Sequence, residues 1–229
     1  MGPYAKEELL ACVIARLLAG SRHAAIGASS PIPATGAFLR RHADPSFRVS
    51  LQQRRESNPF TEGSRELFDL AGQGRIDTFF LGGAQIDGEG VLNLVRAEGK
   101  RFPGSFGSAY MYSVIPNTIL FREEHSRRTL VPKVEFASAR GVPKALLTGK
   151  ALFSWQRDKR RFRLESVHPD ATAEEVREST GFGYDAPQRT PVTASPRADE
   201  LRILRGPVAS EMAKNYPEFA RRIWCSGNG

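Results

Sequence analysis

The chain reads as an α/β protein built on an open, mostly parallel sheet flanked by helices, and three observations carry that expectation. A short apolar segment, His23 to Ile26, runs into the small-residue turn Gly27-Ala28-Ser29-Ser30-Pro31 and then into a helical pattern, the order of an α/β unit. Further on, an apolar run stops at a glycine pair within Phe79 to Gly90 (FFLGGAQIDGEG), as a buried parallel strand does when its C-terminal end needs bare backbone. The 229 residues, 40% hydrophobic and 25% charged, suffice for one large domain with a real core or for two small ones, and lie far from disordered composition. We therefore expect a single domain over 1–229, with 187–229 forming a proline-rich and helical tail that wraps the surface.

The elements follow in order. Lys6 to Leu18 places Leu9, Leu10, Val13, Ile14, Leu17 and Leu18 on one helical stripe ending at Gly20. After the first strand a helix is predicted across Thr35 to Arg41, then a strand at Phe47 to Leu51. A polar stretch leads to a helix from Ser64 to Ala71, with Ser64 as its N-cap. Arg75 to Leu81 is the strand that ends at the glycine pair. Beyond the glycine- and serine-containing loop from Arg101 come a short helix, a strand at Thr118 to Phe121, a charged turn at Arg122 to Arg128 and an alternating strand at Leu130 to Phe136. Lys144 to Phe153 and Arg161 to Ser166 read as an antiparallel pair. Thr172 to Thr180 is a capped helix with Glu174 and Glu175 at its dipole-favoured end. A proline-rich connection, Pro187 to Pro196, precedes a last helix near Asp199 to Leu204.

Composition excludes several classes. No apolar run approaches a membrane span, and the opening residues lack a basic leader with a small-residue cleavage site, so a soluble, cytoplasmic protein with no membrane partner is expected. Cys12 and Cys225 are too few and too ill-placed for a disulfide framework or a metal site. The net charge of +8 and pI near 9.9 invite a nucleic-acid reading. Its distribution argues against one. The basic residues fall in short separate clusters with no interleaved aromatic residues, as solvated faces do, or as attraction for an anionic ligand or an acidic partner chain would require.

The candidate site starts at the glycine pair, because open α/β sheets bind ligands beyond the C-terminal ends of their strands. Gly82, Gly83 and Ala84 leave room for close approach, and Gln85 and Asp87 follow as a polar pair of the kind that forms a turn or cap after a strand. Gly104, Ser105, Gly107 and Ser108 form a small-residue loop able to turn amides toward an anion; surface turns use the same residues. Arg127 and Arg128 are either phosphate-binding, partner-binding or solvated.

FFLGGAQIDGEG resembles the strand-end signature of the small (β) subunit of family I coenzyme A transferases, the glutaconate type in particular. Four further segments are similar in the same order: FPGSFGSA, Glu124-His125-Ser126-Arg127-Arg128 with Val131 to Phe136, LESVHPDATAEEVRESTGF, and ADELRILR. The resemblance implies the fold shared by NagB, RpiA and CoA transferases, an α subunit of related fold as partner, and a short or dicarboxylic acyl-CoA thioester as substrate with no permanently bound cofactor. It implies substrate-side roles for the glycines, Gln85 and Asn93, whose neighbour Val91 stands where the family has another asparagine. The family's nucleophilic glutamate, set in a V-E-S-G context, must act as both nucleophile and leaving group. Its position falls near Leu51 or Gln52, which cannot serve, and Glu56 is the nearest carboxylate, roughly four or five residues on. Relatives without that glutamate open carbon rings of CoA thioesters or decarboxylate them. Transfer, hydrolysis, decarboxylation and a non-catalytic CoA-binding or assembly subunit therefore all stay open.

Overall fold

The structure, a computed structural model, describes residues 4–53, 58, 60–102 and 104–225. In chain order its elements are α1 (Lys6–Leu17), β1 (His23–Ile26), α2 (Pro31–Ala43), β2 (Arg48–Leu51), α3 (Ser64–Gly72), β3 (Thr78–Leu81), β4 (Gln85–Ile86), β5 (Leu92–Asn93), β6 (Arg96–Ala97) and β7 (Lys100–Arg101). They continue with α4 (Ser108–Val114), β8 (Asn117–Arg122), β9 (Pro143–Thr148), β10 (Ala151–Gln156), β11 (Arg161–Val167), α5 (Ala173–Ser179), α6 (Ala198–Ile203), α7 (Ala209–Asn215) and α8 (Pro217–Ala220). This is the expected α/β organisation. The chain divides into two compact units: Met1–Glu62 with Ile76–Thr78 and Ser195–Gly229, and Gly63–Arg75 with Phe79–Ala194.

In the first unit β1 and β2 pair in parallel, His23 opposite Arg48 and Ile26 opposite Leu51. The leucine and isoleucine spacing of α1 buries Leu10 and Ile14 completely. Helix α2 starts at Pro31, before the expected Thr35, because proline fits a first turn that has no use for its missing amide. The Thr35 hydroxyl returns to the Pro31 carbonyl at 2.8 Å. Asp77 ties down the entry to β1 by accepting from the amides of Arg22 (2.9 Å) and His23 (3.1 Å). The expected last helix is α6, and α7 and α8 follow it through the π-helical turn Leu204–Val208. Leu204, Val208 and Met212 are fully buried, so this tail is an integral layer of its unit.

In the second unit the strand order is β11-β10-β9-β8-β3. Strands β8 and β9 are parallel, and β9, β10 and β11 form antiparallel hairpins over a core of Ile119, Leu120, Leu146, Phe153 and Phe162. Lys144 to Phe153, read as one strand, is two. The Thr148 hydroxyl accepts from the amides of Lys150 (3.2 Å) and Ala151 (3.0 Å), folding the chain back at Gly149. Leu130 to Phe136 makes only an isolated bridge, Leu130 to Ile86. Side chains replace the ladder there: Asp87 Oδ2 accepts from the Val134 amide at 3.4 Å and Gln85 Oε1 from the Glu135 amide at 3.1 Å. Helix α3 is capped by Gly63 (φ 62°) instead of Ser64, which is its first residue. Helix α5 carries the expected capping box, Thr172 Oγ1 accepting from the Glu175 amide (3.1 Å) and Glu175 from the Thr172 amide (2.7 Å). The proline-rich connection pairs with β11 through Val167 N to Pro191 O (3.0 Å) and Thr193 N to Val167 O (2.7 Å).

Among the described residues no helix is long and apolar enough to cross a membrane, and no group of three His, Cys, Asp or Glu is arranged to hold a metal ion. Both cysteines are free, Cys12 buried and Cys225 exposed.

Candidate active site

Strand β3 is buried along its length and delivers Gly82 and Gly83 into the second unit beside the end of β8, its neighbour in the sheet. A cavity of about 330 Å³ opens there. Gly82, Gly83, Ala84 and Gly104 supply bare backbone, Leu94, Ala97 and Phe102 an apolar wall, and Arg122, Glu124, Arg128, Thr129 and Glu98 the polar side. An apolar wall with a few convergent polar groups is the composition of a small-molecule site. The glycines also serve the fold. A Cβ on Gly82 would stand 2.8 Å from the Phe121 carbonyl oxygen of β8, and one on Gly83 would stand 3.1 Å from the Asn93 carbonyl.

Gln85 and Asn93 are buried and engaged with each other and with their own loop. The Asn93 amide nitrogen donates to Gln85 Oε1 (2.9 Å) and to the Arg96 carbonyl (2.5 Å), while Gln85 Nε2 donates to Glu135 (2.8 Å). The Glu135 carboxylate in turn accepts from the Glu98 amide at 3.2 Å. This chain of bonds runs from the strand end to the β6–β7 turn and so fixes where Glu98 sits. Asp87 holds its own turn, Oδ1 accepting from the amides of Glu89 (3.0 Å) and Val91 (3.1 Å).

In the small-residue loop only Gly104 lines the cavity. Gly107 is bare because the Phe68 ring fills the space a Cβ would need, Ser108 opens α4, and its amide donates to the Ser105 carbonyl at 2.7 Å. The two arginines part company. Arg127 Nε donates to the Glu178 carbonyl (2.6 Å) in the last turn of α5, a helix C-terminal contact, whereas Arg128 lines the cavity and pairs with Glu98 at 3.0 Å. Glu56 lies outside the described residues. Leu51 ends β2, and neither it nor Gln52 is a carboxylate.

The charged groups that sequence reasoning passed over are Arg122, Glu124 and Glu98. Arg122 Nη2 donates to Glu124 Oε2 at 3.1 Å, and the Ser126 hydroxyl donates to Glu124 Oε1 at 2.8 Å. Ser126 first, and Arg122 with it, hold the Glu124 carboxyl below its ordinary value. The available signal was the position of Arg122 at the end of a strand, inside what reads as a charged turn.

No protein-family model matches the chain. Among curated proteins it is 28% identical over 153 residues to the B subunit of 3-oxoadipate CoA-transferase from Pseudomonas knackmussii, covering 58% of each. It is 26% identical over 148 residues to the B subunit of glutaconate CoA-transferase from Acidaminococcus fermentans, covering 55% of this chain and 54% of that one. The aligned part thus spans little more than half the length of either relative. Among solved structures the decarboxylase AibA/AibB superposes with a TM-score of 0.76 at 26% identity, covering 88% of this chain and 93% of that one. Glutaconate coenzyme A-transferase from Acidaminococcus fermentans superposes with a TM-score of 0.79 at 19% identity, covering 92% and 97%. The fold is that of the CoA transferases and their relatives, with the cavity at a strand end of its α/β sheet. By sequence the chain is similar to CoA-transferase B subunits over little more than half their length, and its fold matches a CoA-transferase structure over most of its own.

Proposed function

We propose that this chain is the B-type subunit of a two-subunit, cytoplasmic enzyme acting on a short or dicarboxylic acyl-CoA thioester, with the β3-end cavity as its acyl site. The reading takes 1–229 as one functional domain, needs no permanently bound cofactor and treats CoA thioester as substrate. The observation that carries it is the cavity itself: bare backbone at Gly82, Gly83 and Gly104 faces arginines at 122 and 128, in a chain similar to CoA-transferase B subunits. Amides and guanidinium groups at such a place stabilise the oxyanion that a thioester carbonyl develops.

Two reactions fit. Covalent transfer needs a carboxylate, for which Glu56 is our candidate. Hydrolysis or decarboxylation needs none on this chain, and the absence of a carboxylate at Leu51 or Gln52 favours that second reading. The test is to co-express the chain with an A-type subunit encoded beside it and to screen acyl-CoA thioesters by mass spectrometry, adding hydroxylamine to intercept an enzyme-CoA thioester. Turnover by the pair alone supports the proposal. An adduct at Glu56 selects transfer, and turnover without an adduct selects hydrolysis or decarboxylation. A chain that recruits no partner and turns over no thioester overturns it.

A further inference from the structure

The end of β8 and the turn after it supply Arg122, Glu124, Arg128 and Thr129 to the wall of the cavity. His125 stands among them without joining that wall. It is 8% exposed, and its ring lies 6.2 Å from that of Phe153 in the core of the second unit. Both ring nitrogens meet threonines of other elements: Nδ1 is 2.7 Å from the hydroxyl of Thr148, the last residue of β9, and Nε2 is 2.9 Å from that of Thr180, which follows α5. Counting protons orders the two bonds. The Thr180 hydroxyl gives its proton to the Val176 carbonyl at 2.6 Å, so it accepts from Nε2–H. The Thr148 hydroxyl already accepts from the amides of Lys150 and Ala151 and stands closer to Nδ1 than to the Ala151 carbonyl at 3.1 Å, so it donates to Nδ1. The ring is therefore neutral, and both nitrogens are satisfied from separate elements.

We infer that His125 is a positioning residue for the acyl site: by bridging β9 and the end of α5 it holds the turn so that Arg122, Glu124 and Arg128 stand at the cavity. The inference rests on the acyl-CoA reading above and names what keeps that site in shape. The charged pairs on the cavity side cannot do so. Arg122 with Glu124 and Arg128 with Glu98 are each more than a third exposed and add little order of their own. Order comes from the buried side, where the Gly149 amide donates to the Glu123 carbonyl at 3.0 Å, Arg127 donates to the Glu178 carbonyl, and His125 fixes the stretch between them. Loss of the ring's two bonds would strand no buried hydroxyl, since Thr180 keeps Val176 and Thr148 can turn to Ala151. The loss therefore falls on where the turn sits more than on whether the chain folds.

The test compares the wild type with His125→Phe, which keeps a ring and loses both bonds, and with His125→Gln, whose side-chain amide can again donate to Thr180. Each is assembled with the A-type partner and titrated calorimetrically with glutaryl-CoA and with CoA, and amide hydrogen exchange is followed by mass spectrometry. In the wild type the acyl group should tighten binding over CoA at least about tenfold. His125→Phe should lose most of that preference while binding CoA as before, with faster exchange confined to residues 122–131. His125→Gln should regain the preference, and adding Thr180→Val to His125→Gln should abolish it again. Should His125→Phe fail to fold, the comparison of His125→Gln with that double variant decides. A preference that survives in His125→Phe, equal weakening of both ligands, no rescue by His125→Gln, or faster exchange across the whole second unit overturns the inference and leaves His125 a residue of the fold. A wild type that binds the two ligands equally, or binds neither, fails the acyl-site reading itself and takes the inference with it, a result distinct from a wild-type preference that the variants keep.

Discussion

Two glutamate–arginine contacts, one in each unit, are built from the same side chains and end up with opposite character. In the first unit Glu8 is 3% exposed and saturated: Arg205 donates to both of its oxygens (2.8 and 2.9 Å), Trp224 Nε1 at 3.1 Å and the Ala5 amide at 2.9 Å. In the second, Arg122 and Glu124 share one bond, both are more than a third exposed, and a buried Nε–H is left over. A pair completed from within the chain holds structure. A pair left short, with solvent reaching both side chains, adds little to structure. The largest effect expected of any substitution that tests this contrast is therefore at Arg205. Arg205→Ala leaves the Glu8 charge buried without its main partner and should cost roughly 3 kcal/mol in urea unfolding at neutral pH, the lower end for a broken buried pair because Arg205 is itself half-exposed.

The pH dependence of that loss identifies its cause. Burial pushes the Glu8 carboxyl upward, but Arg205, the Ala5 amide and Trp224 together outweigh it, so the folded-state value is lowered. A lowered carboxylate contributes stability above its ordinary range and loses it as pH falls through the folded value. The deficit of Arg205→Ala should therefore be largest at neutral pH and should narrow once acid protonates Glu8. A deficit that does not change between neutral and acid conditions would assign it to lost packing.

Next in size is Gly82→Ala, which tests whether the glycine pair belongs to the fold as well as to the cavity. The added methyl would meet the backbone oxygen of Phe121 at 2.8 Å, and a carbonyl in the middle of a sheet cannot swing aside as a side chain does. We expect a loss of about 1–3 kcal/mol. Gly27→Ala, where the nearest atom lies 3.8 Å away, should be close to neutral. Equal, small effects at both positions would show that Gly82 is bare for the ligand alone.

How much of the molecule is legible in its sequence divides along the same line. Features set by neighbours in sequence were readable: the stripe of α1, the strand ending at Gly82 and the Thr172–Glu175 capping box all depend on residues within a few positions of each other. Features set by long-range pairing were not. Arg122 comes beside the glycine pair only because β8 lies next to β3, and Glu98 reaches the cavity only through the bonds that run from Gln85 by way of Glu135. The family resemblance, not local polarity, implies substrate-side roles for Gln85 and Asn93, and in the structure their buried amides bond to each other and to the loop. The hairpin at Gly149 is marked only by Thr148-Gly149-Lys150 between two apolar runs, a break too short to separate the strands by pattern, and the deciding group is the Thr148 hydroxyl.

The smallest expected effect sharpens the contrast most, because it concerns a contact that looks like the strong one. Glu98 and Arg128 stand at 3.0 Å, a shorter contact than that between Arg122 and Glu124, but they are 49% and 59% exposed. Distance alone would rank this pair beside Glu8–Arg205. Solvent ranks it far below, since water competes for both charges and holding two long side chains together costs entropy. A double-mutant cycle on Glu98→Ala and Arg128→Ala should give a coupling within about 0.5 kcal/mol in urea unfolding, whereas the cycle on Glu8 and Arg205 should exceed about 2 kcal/mol. Repeating the Glu98–Arg128 cycle with a saturating acyl-CoA present separates the two readings of the cavity. If Arg128 turns to the ligand, the coupling falls further and the Arg128→Ala loss grows with ligand concentration. If the coupling and the loss are the same with and without ligand, Arg128 belongs to the surface, and Arg122 carries the cationic side of the cavity without it.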